Sequence, residues 1–563
     1  MVNNRMIKFC PRCGRYLPQG ETICPNCASH PRTRIHPSEI TMNDVISYFP
    51  SSSLRKNQKK IMKEIVDAFQ TEKKCVILAA PTGFGKSYVN TAFASITHSF
   101  YTTPQLTLMK QILKDPLLQG RFVEIKGRRN YRCYYYPERP VHVGRCETTD
   151  YHCTERFDVC PYWKQKKKAL DAQSVLMSLA YLIDEGQTEG PTSLGSRSLL
   201  ILDESHNLEE ECLNHISLRV TPNTIPSNVY DKYLPQLKQI KNKDQESKFL
   251  SKLGGHLQEL LKRADLISKS TGLSIDEAID KEKIDRFLRN YEFYMSSKKE
   301  WISQIQNDQL ILQPVYAKEF MRAMIWKRAD FFIISSATIL DPEQYRKLTG
   351  LNDILDEDEI VFLTMESTFP VENRPILDFS VGSLSQRNWD QNSKDALTTI
   401  EHILRKEEGN VAIHCGSYKR QQWLVQNISE DLRSRLITHT SFNRNEKLED
   451  WKQSRGSVFV SVAFQEGQDW KYDLCDAQIL LKVPYPDLGD KRIRSRLEHG
   501  ERRWYTNRAM TEVIQAYGRA VRAEDDQARF YVVDGDFKKL ARDCWPFMPD
   551  WFKEALPKSL EKI

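Results

Sequence analysis

The sequence predicts an α/β protein built on two mainly parallel sheets. Short, almost purely apolar runs recur along the chain, each ends in small or charged residues, and stretches of helical periodicity separate them. Runs at 76–80, 199–202 and 331–334 form an early set; those at 411–414, 435–438, 458–462, 478–483 and 530–533 form a later one. A length of 563 residues suits three or four domains, and 40% hydrophobic residues is enough for their cores.

The charge excludes little. A balance of 82 basic against 75 acidic residues leaves a net +7, a mild excess that by itself demands no polyanionic partner. No apolar run reaches membrane-spanning length and no signal-peptide core opens the chain, so a soluble, cytoplasmic protein with no membrane partner is expected.

From the N-terminus, Cys10-x-x-Cys13 and Cys24-x-x-Cys27 are two knuckles, each placing two thiolates on one turn. Together they complete a tetrahedron, which predicts a zinc ribbon over residues 1–30 with structural zinc and a recognition role toward protein or DNA. Pro31 and Pro37 mark a linker over 31–53. Arg55 and Gln58 then open an amphipathic helix and are candidates for reading an adenine base.

The stretch VILAAPTGFGKS at 76–87 reads as a strand, a glycine turn and a helix start. Gly83 and Gly85 let backbone N–H groups face phosphate oxygens, Lys86 reaches the terminal phosphates, and the Ser87 hydroxyl sits on Mg²⁺. Thr102-Thr103-Pro104 ends the next strand, where hydroxyls and amides can hold nucleic-acid phosphates. Cys133, Cys146, Cys153 and Cys160 follow in a segment rich in tyrosine and arginine; their spacing fits zinc and a cubane iron–sulfur cluster alike. Leu199–Leu202 leads into Asp203-Glu204-Ser205-His206, with Asp203 suited to hold Mg²⁺ and Glu204 to activate water.

Residues 215–320 change to helical spacing, interrupted at Gly254-Gly255, with a capping box at Ser274 and Glu277. The sheet resumes at 331–334 and exits in Ser335-Ser336-Ala337-Thr338, suited to sense a γ-phosphate. In QAYGRAVR at 515–522, helical spacing brings Gln515, Gly518, Arg519 and Arg522 to one side, the two arginines as fingers toward transition-state charge.

Together these motifs resemble the XPD/DinG family of superfamily 2 helicases. The resemblance rests on APTGFGKS, DESH, SSAT, VPYPDLGD at 483–490, QAYGRAVR, and KGRRNYRC at 126–133. Two inserts, one with four cysteines before DESH and one helical before SSAT, strengthen it. It implies two RecA-like motor domains: the first over 54–120, 166–214 and 323–345, the second over 346–563. An iron–sulfur domain at 121–165 and a helical arch at 215–322 interrupt the first.

The implied activity is an ATP-dependent DNA helicase that translocates 5′ to 3′ on single-stranded DNA and unwinds duplex, acting as a monomer on single strands and junctions in repair or replication. The resemblance assigns a [4Fe-4S] cluster to Cys133, Cys146, Cys153 and Cys160. It also assigns ATP contacts to Thr82, His206 and Gln515, and DNA contacts to Arg128, Arg129, Tyr131 and Arg132 beside Thr102 and Thr103. Ser205, Phe84 and Gln468 depart from the family pattern, and none removes a charge or a ligand. Two other readings fit the chain: a single-strand translocase that remodels complexes with little unwinding, and a redox-sensing DNA scaffold with a vestigial motor. Intact Lys86, Asp203, Glu204, Arg519 and Arg522 weigh against the last.

Overall fold

The computed structural model describes residues 34–186, 190, 192–297, 299–462, 470, 474–521, 523 and 525–561. The four cysteines of the expected zinc ribbon, residues 466–469 and Arg522 lie outside these.

The first sheet begins with β1 (Cys75–Ala79), β2 (Ser99–Thr103), β3 (Val123–Glu124), β4 (Ser174–Ser178) and β5 (Arg197–Asp203). The chain then builds a separate lobe containing β6 (Leu218–Val220), β7 (Trp301–Gln306) and β8 (Gln309–Pro314), and returns as β9 (Ala329–Ser336) and β10 (Ile360–Thr364). The order is β10–β1–β9–β5–β2–β4–β3, parallel throughout. The second sheet uses β11 (Ile376–Gly382), β12 (Val411–His414), β13 (Leu436–Ile437), β14 (Val458–Ser461), β15 (Ala477–Leu480) and β16 (Arg529–Asp534) in the order β11–β16–β15–β12–β14–β13, again parallel. Parallel sheets need both faces covered, which is why their strands read as continuous apolar runs. Five of five residues in β1 are buried, as are all four in β12 and in β14.

Helix α1 (Gln58–Gln70) packs Ile61, Ile65 and Phe69 on one face of the first sheet, and α2 (Lys86–Ile96) follows the glycine turn. Ile40, Val45 and Phe49 join the same core, so the stretch expected as linker packs, from Ile40 onward, into the domain of the first sheet. The Thr41 and Asp44 capping box that starts the helix Met42–Tyr48 was the missed signal. Helix α3 (Pro161–Asp171) starts on the residue after Cys160, and α4 (Leu208–Ile216) continues directly from the DESH turn.

The 215–322 lobe packs α5 (Lys243–Ser270) and α6 (Ile275–Ser296) over the antiparallel sheet β6–β8–β7. The expected interruption at Gly254-Gly255 is absent: α5 runs through it, and a Cβ at Gly254 would meet the Tyr291 ring at 2.9 Å, so glycine here admits α6. The β7–β8 hairpin was also unforeseen; Asn307 and Asp308 turn it with φ of 50° and 61°. Beyond the second sheet's β15, α7 (Lys491–Glu498) and α8 (Arg502–Tyr517) return toward the first sheet. No described helix is long and apolar enough to cross a membrane.

Candidate active site

Strand register lines up the site. Ala79 of β1 pairs with Ser336 of β9, and Ser335 pairs with Asp203 of β5, so three strand exits lie side by side where ligands bind open α/β sheets. After β1 the chain turns through Gly83 (φ 80°) and Gly85 (φ 86°) into α2. A Cβ at Gly85 would stand 2.5 Å from Gln58 Nε2, so only glycine fits the turn and its brace together. Gln58 Nε2 donates to the Phe84 carbonyl at 2.9 Å, and the Arg55 guanidinium donates to the Gly83 carbonyl. These two residues therefore brace the loop. Beside them a cleft of about 510 Å³ opens between Asn57, Lys60, Thr364, Phe547 and Lys553. Phe84 is 2% exposed in the first domain's core, which accounts for a bulky residue within the loop.

The charged groups are already joined. Lys86, itself buried, donates to the Ala80 carbonyl at 3.0 Å and stands 3.5 Å from Glu204 Oε1. Asp203 Oδ2 accepts from the Tyr101 hydroxyl at 2.8 Å and Oδ1 from the Ser335 hydroxyl at 3.0 Å; Asn90 in turn donates to Ser335 at 2.8 Å. Ser87 also reaches the Tyr101 hydroxyl, so the two expected Mg²⁺ ligands share a neighbour. Burial first, then the adjacent Glu204, pushes the Asp203 carboxyl up to about 6, while Lys86 pulls it back. Glu204 holds a left-handed backbone (φ 49°), a strained conformation for a non-glycine residue. The Ser336 hydroxyl lies 3.3 Å from Glu204 Oε2 and 2.8 Å from His206 Nδ1. Ser205 donates to the Ser335 carbonyl at 3.4 Å, a use for the hydroxyl that distinguishes DESH from DEAH. Tyr101, Asn90, Ser335 and Ser336 were not singled out individually as site residues; only the SSAT exit hinted at two of them.

The second sheet faces this edge. Gln515 Nε2 donates to Thr338 Oγ1 at 2.7 Å, and Thr82 Oγ1 donates to the Gly518 carbonyl at 3.2 Å. Helix α8 ends at Tyr517, so Gly518 and Arg519 follow it as a turn, where continuous helix was expected. Arg519 is 3% exposed with its guanidinium 5.5 Å from the Trp470 ring centroid. Buried His414 lies near it, bonded to Gln478 Oε1 at 2.9 Å, and burial lowers its imidazole to about 4.

The four cysteines of the insert, Cys133, Cys146, Cys153 and Cys160, line one cavity together with Tyr135, Tyr151 and Trp163. Burial, then Glu147, pushes the Cys146 thiol up to about 11; burial, then Cys160 and Cys133, raises that of Cys153. Four thiols lining one cavity are the donor set that a cubane cluster would need. Among the described residues no group of three His, Cys, Asp or Glu side chains converges closely enough for a single metal ion. The expected DNA contacts nearby are engaged within the chain: Arg128 pairs with Glu147, Arg129 with Glu282 of α6 at 2.9 Å, Arg132 with the Glu138 carbonyl at 3.0 Å, and Tyr131 accepts from Lys126 N at 3.2 Å. Thr102 and Thr103 are buried, their hydroxyls donating to the carbonyls of Ile201 and Gln105.

The chain matches two protein families, one described as a helicase C-terminal domain over residues 400–555 and one as DEAD_2 over 123–225. The ATP-dependent DNA helicase DinG of Photobacterium profundum is 24% identical over 230 residues, covering 38% of this chain and 32% of that protein, so the match spans about a third of the relative's length. Solved structures of an XPD helicase (TM-score 0.62, 14% identity, 88% of this chain and 99% of that one) and of Xpd4 from S. tokodaii (0.59, 14%, 89% and 99%) share the fold. The motifs, the site geometry and these matches agree: the chain carries a helicase C-terminal and a DEAD_2 match, shares the fold of the XPD structures and is similar to helicases of the XPD/DinG type.

Proposed function

We propose that this chain is an ATP-driven motor that moves 5′ to 3′ along single-stranded DNA and separates duplex. One observation carries the reading: Lys86, Asp203 and Glu204 stand together at one strand edge, and the turn bearing Arg519 docks on that edge through Thr82 and Gly518. In this mechanism the Gly83–Gly85 backbone and Lys86 bind the phosphates, and Arg55 and Gln58 keep that loop in shape. Ser87 and Asp203 would hold Mg²⁺, which supplies charge neutralisation on the phosphates when bound. Glu204 orients the attacking water and takes its proton. Arg519, joined by Arg522, offsets charge on the transferring phosphoryl group. Gln515 and Thr338 link γ-phosphate loss to the relative position of the domains.

Cys133, Cys146, Cys153 and Cys160 would hold a [4Fe-4S] cluster, a rigid covalent tie that fixes the insert as a wedge. The CxxC pairs at Cys10, Cys13, Cys24 and Cys27 would hold structural zinc and choose a partner or DNA structure. Work on single strands and junctions during repair or replication, by a cytoplasmic monomer, is the setting that fits.

The decisive experiment measures ATPase with and without a single-stranded oligonucleotide, and unwinding of duplexes carrying a 5′ or a 3′ tail. DNA-stimulated hydrolysis with unwinding from the 5′ tail is expected. Lys86→Ala should cut turnover by about 10³-fold while single-strand binding persists, since Lys86 acts on developing phosphate charge. Stimulated hydrolysis without unwinding would replace the helicase with a remodelling translocase; ATPase surviving in Lys86→Ala would remove the site assignment.

A further inference from the structure

Helices α7 and α8 place three arginines on two consecutive glutamates at the start of α4. Arg496, 0% exposed, gives Nη1 to Glu209 Oε1 and Oε2 at 3.0 and 2.9 Å and Nε to Glu501 at 2.8 Å. Its guanidinium lies over Trp504 with 3.8 Å to the ring centroid. Glu210 Oε2 accepts from Arg492 at 2.8 Å and from Arg508 at 2.9 Å. Although burial works the other way, Arg508 and Arg492 together hold the Glu210 carboxyl below its usual range.

A buried guanidinium is costly to desolvate, and generic domain packing would use apolar residues at such a position. The directionality of these charge-assisted bonds fixes the distance and angle of α4 against α7 and α8. What those helices carry gives the geometry its meaning. Glu209 and Glu210 lie five and six residues after Glu204, and only the 3-10 turn Ser205–Asn207 intervenes before α4. Arg508 lies on the helix that bears Gln515 and ends at Tyr517, two residues before Arg519.

We propose that this clamp is a positioning device for hydrolysis: Glu209 and Glu210, gripped by Arg492, Arg496 and Arg508, set the placement of Glu204 against Arg519. The inference rests on the ATPase reading above and adds residues to it that act through Glu204 and Arg519. It acts through alignment, so it predicts loss of turnover with nucleotide binding kept.

The test is a charge swap at the partly buried Arg508–Glu210 pair. Arg508→Glu and Glu210→Arg each bring like charges together, whereas the double variant re-forms the 508–210 pair with its charges reversed and leaves Arg492 without its acceptor. Steady-state ATPase with a saturating dT oligonucleotide, the dissociation constant for a fluorescent ATP analogue and thermal midpoints are measured on all four full-length proteins. Each single variant should lose about tenfold in kcat with analogue affinity within roughly twofold, and the double variant should recover part of the loss, about threefold or more. Singles that lose only thermal stability, or a double variant that regains stability and leaves kcat low, would reduce the clamp to a structural tie and overturn the proposal. A wild-type chain that hydrolyses no ATP sinks the ATPase reading instead, and the proposal with it, a result distinguished by the wild-type control. The buried Arg496→Lys variant adds a second view: it keeps charge and loses the fork, so intact kcat there also counts against alignment.

Discussion

The seven-stranded sheet brings to the cleft a lysine, two carboxylates and a histidine joined into one network through Tyr101, Ser335 and Ser336. The six-stranded sheet brings Arg519 and His414, each packed against Trp470. One edge is self-contained; the other acquires meaning only by docking. The difference teaches where control resides. In the proposed function the phosphate-binding groups all belong to the first edge, while Arg519 comes from the second domain, which is held to the first by Thr82–Gly518, Gln515–Thr338 and the arginine clamp on α4.

The largest expected effect breaks that asymmetry directly. Arg519→Ala should lower kcat by about 10³-fold and leave ATP affinity within roughly threefold, because the finger acts on transition-state charge. Single-turnover hydrolysis beside equilibrium nucleotide binding checks it. An equal loss in binding would place Arg519 among the ground-state phosphate contacts and erase the distinction between the two edges.

A smaller effect asks whether the first domain's inserts are separable from its nucleotide edge. Cys146 belongs to the cysteine cavity, which none of the Lys86, Asp203 or Glu204 contacts enters. Cys146→Ser should therefore lose bound iron and labile sulfide and cut duplex separation by about tenfold or more, while ATPase on single-stranded DNA stays within roughly threefold. Iron analysis on anaerobically purified protein, with a strand-displacement assay, tests this. Unimpaired unwinding in the iron-free variant would sever the insert from the wedge role.

The sequence disclosed the first edge far better than the second. Fully buried parallel strands make continuous apolar runs, and their exits carry small or charged residues, so APTGFGKS, DESH and SSAT could be read in place. Tyr101 could not, since its role depends on β2 neighbouring β5 across the sheet, a pairing of strands about one hundred residues apart. The arginine clamp was hidden for the same reason: Arg496 and Glu209 are 287 positions apart, and α7 reads alone as a solvated basic helix. The turn at Gly518 was misjudged because spacing of three and four fits a helix, whereas Gly518 caps it. The β7–β8 hairpin shows the opposite case, a legible Asn-Asp turn passed over inside a segment dominated by helical periodicity.

The smallest effect sharpens the comparison through pH. Burial holds the His414 imidazole down at about 4, and nearby Arg519 adds to the effect although the Gln478 bond opposes it. In the unfolded chain the same ring titrates near its ordinary value, about 6.5. Between these values the unfolded chain binds a proton that the folded one refuses, so this contribution is complete above about pH 6.5 and is lost as pH falls toward about 4. By pH 5 the loss amounts to about 2 kcal/mol, roughly 5 °C in thermal midpoint for a domain of this size. His414→Asn removes the titration and keeps an amide able to meet Gln478, so its midpoint should fall less than the wild type's between pH 7.5 and 5. Parallel curves for the two proteins would mean that His414 accepts its proton in the folded state. A cation would then sit beside Arg519, and the second edge would carry a pH-dependent charge where the comparison assigns it a constant one.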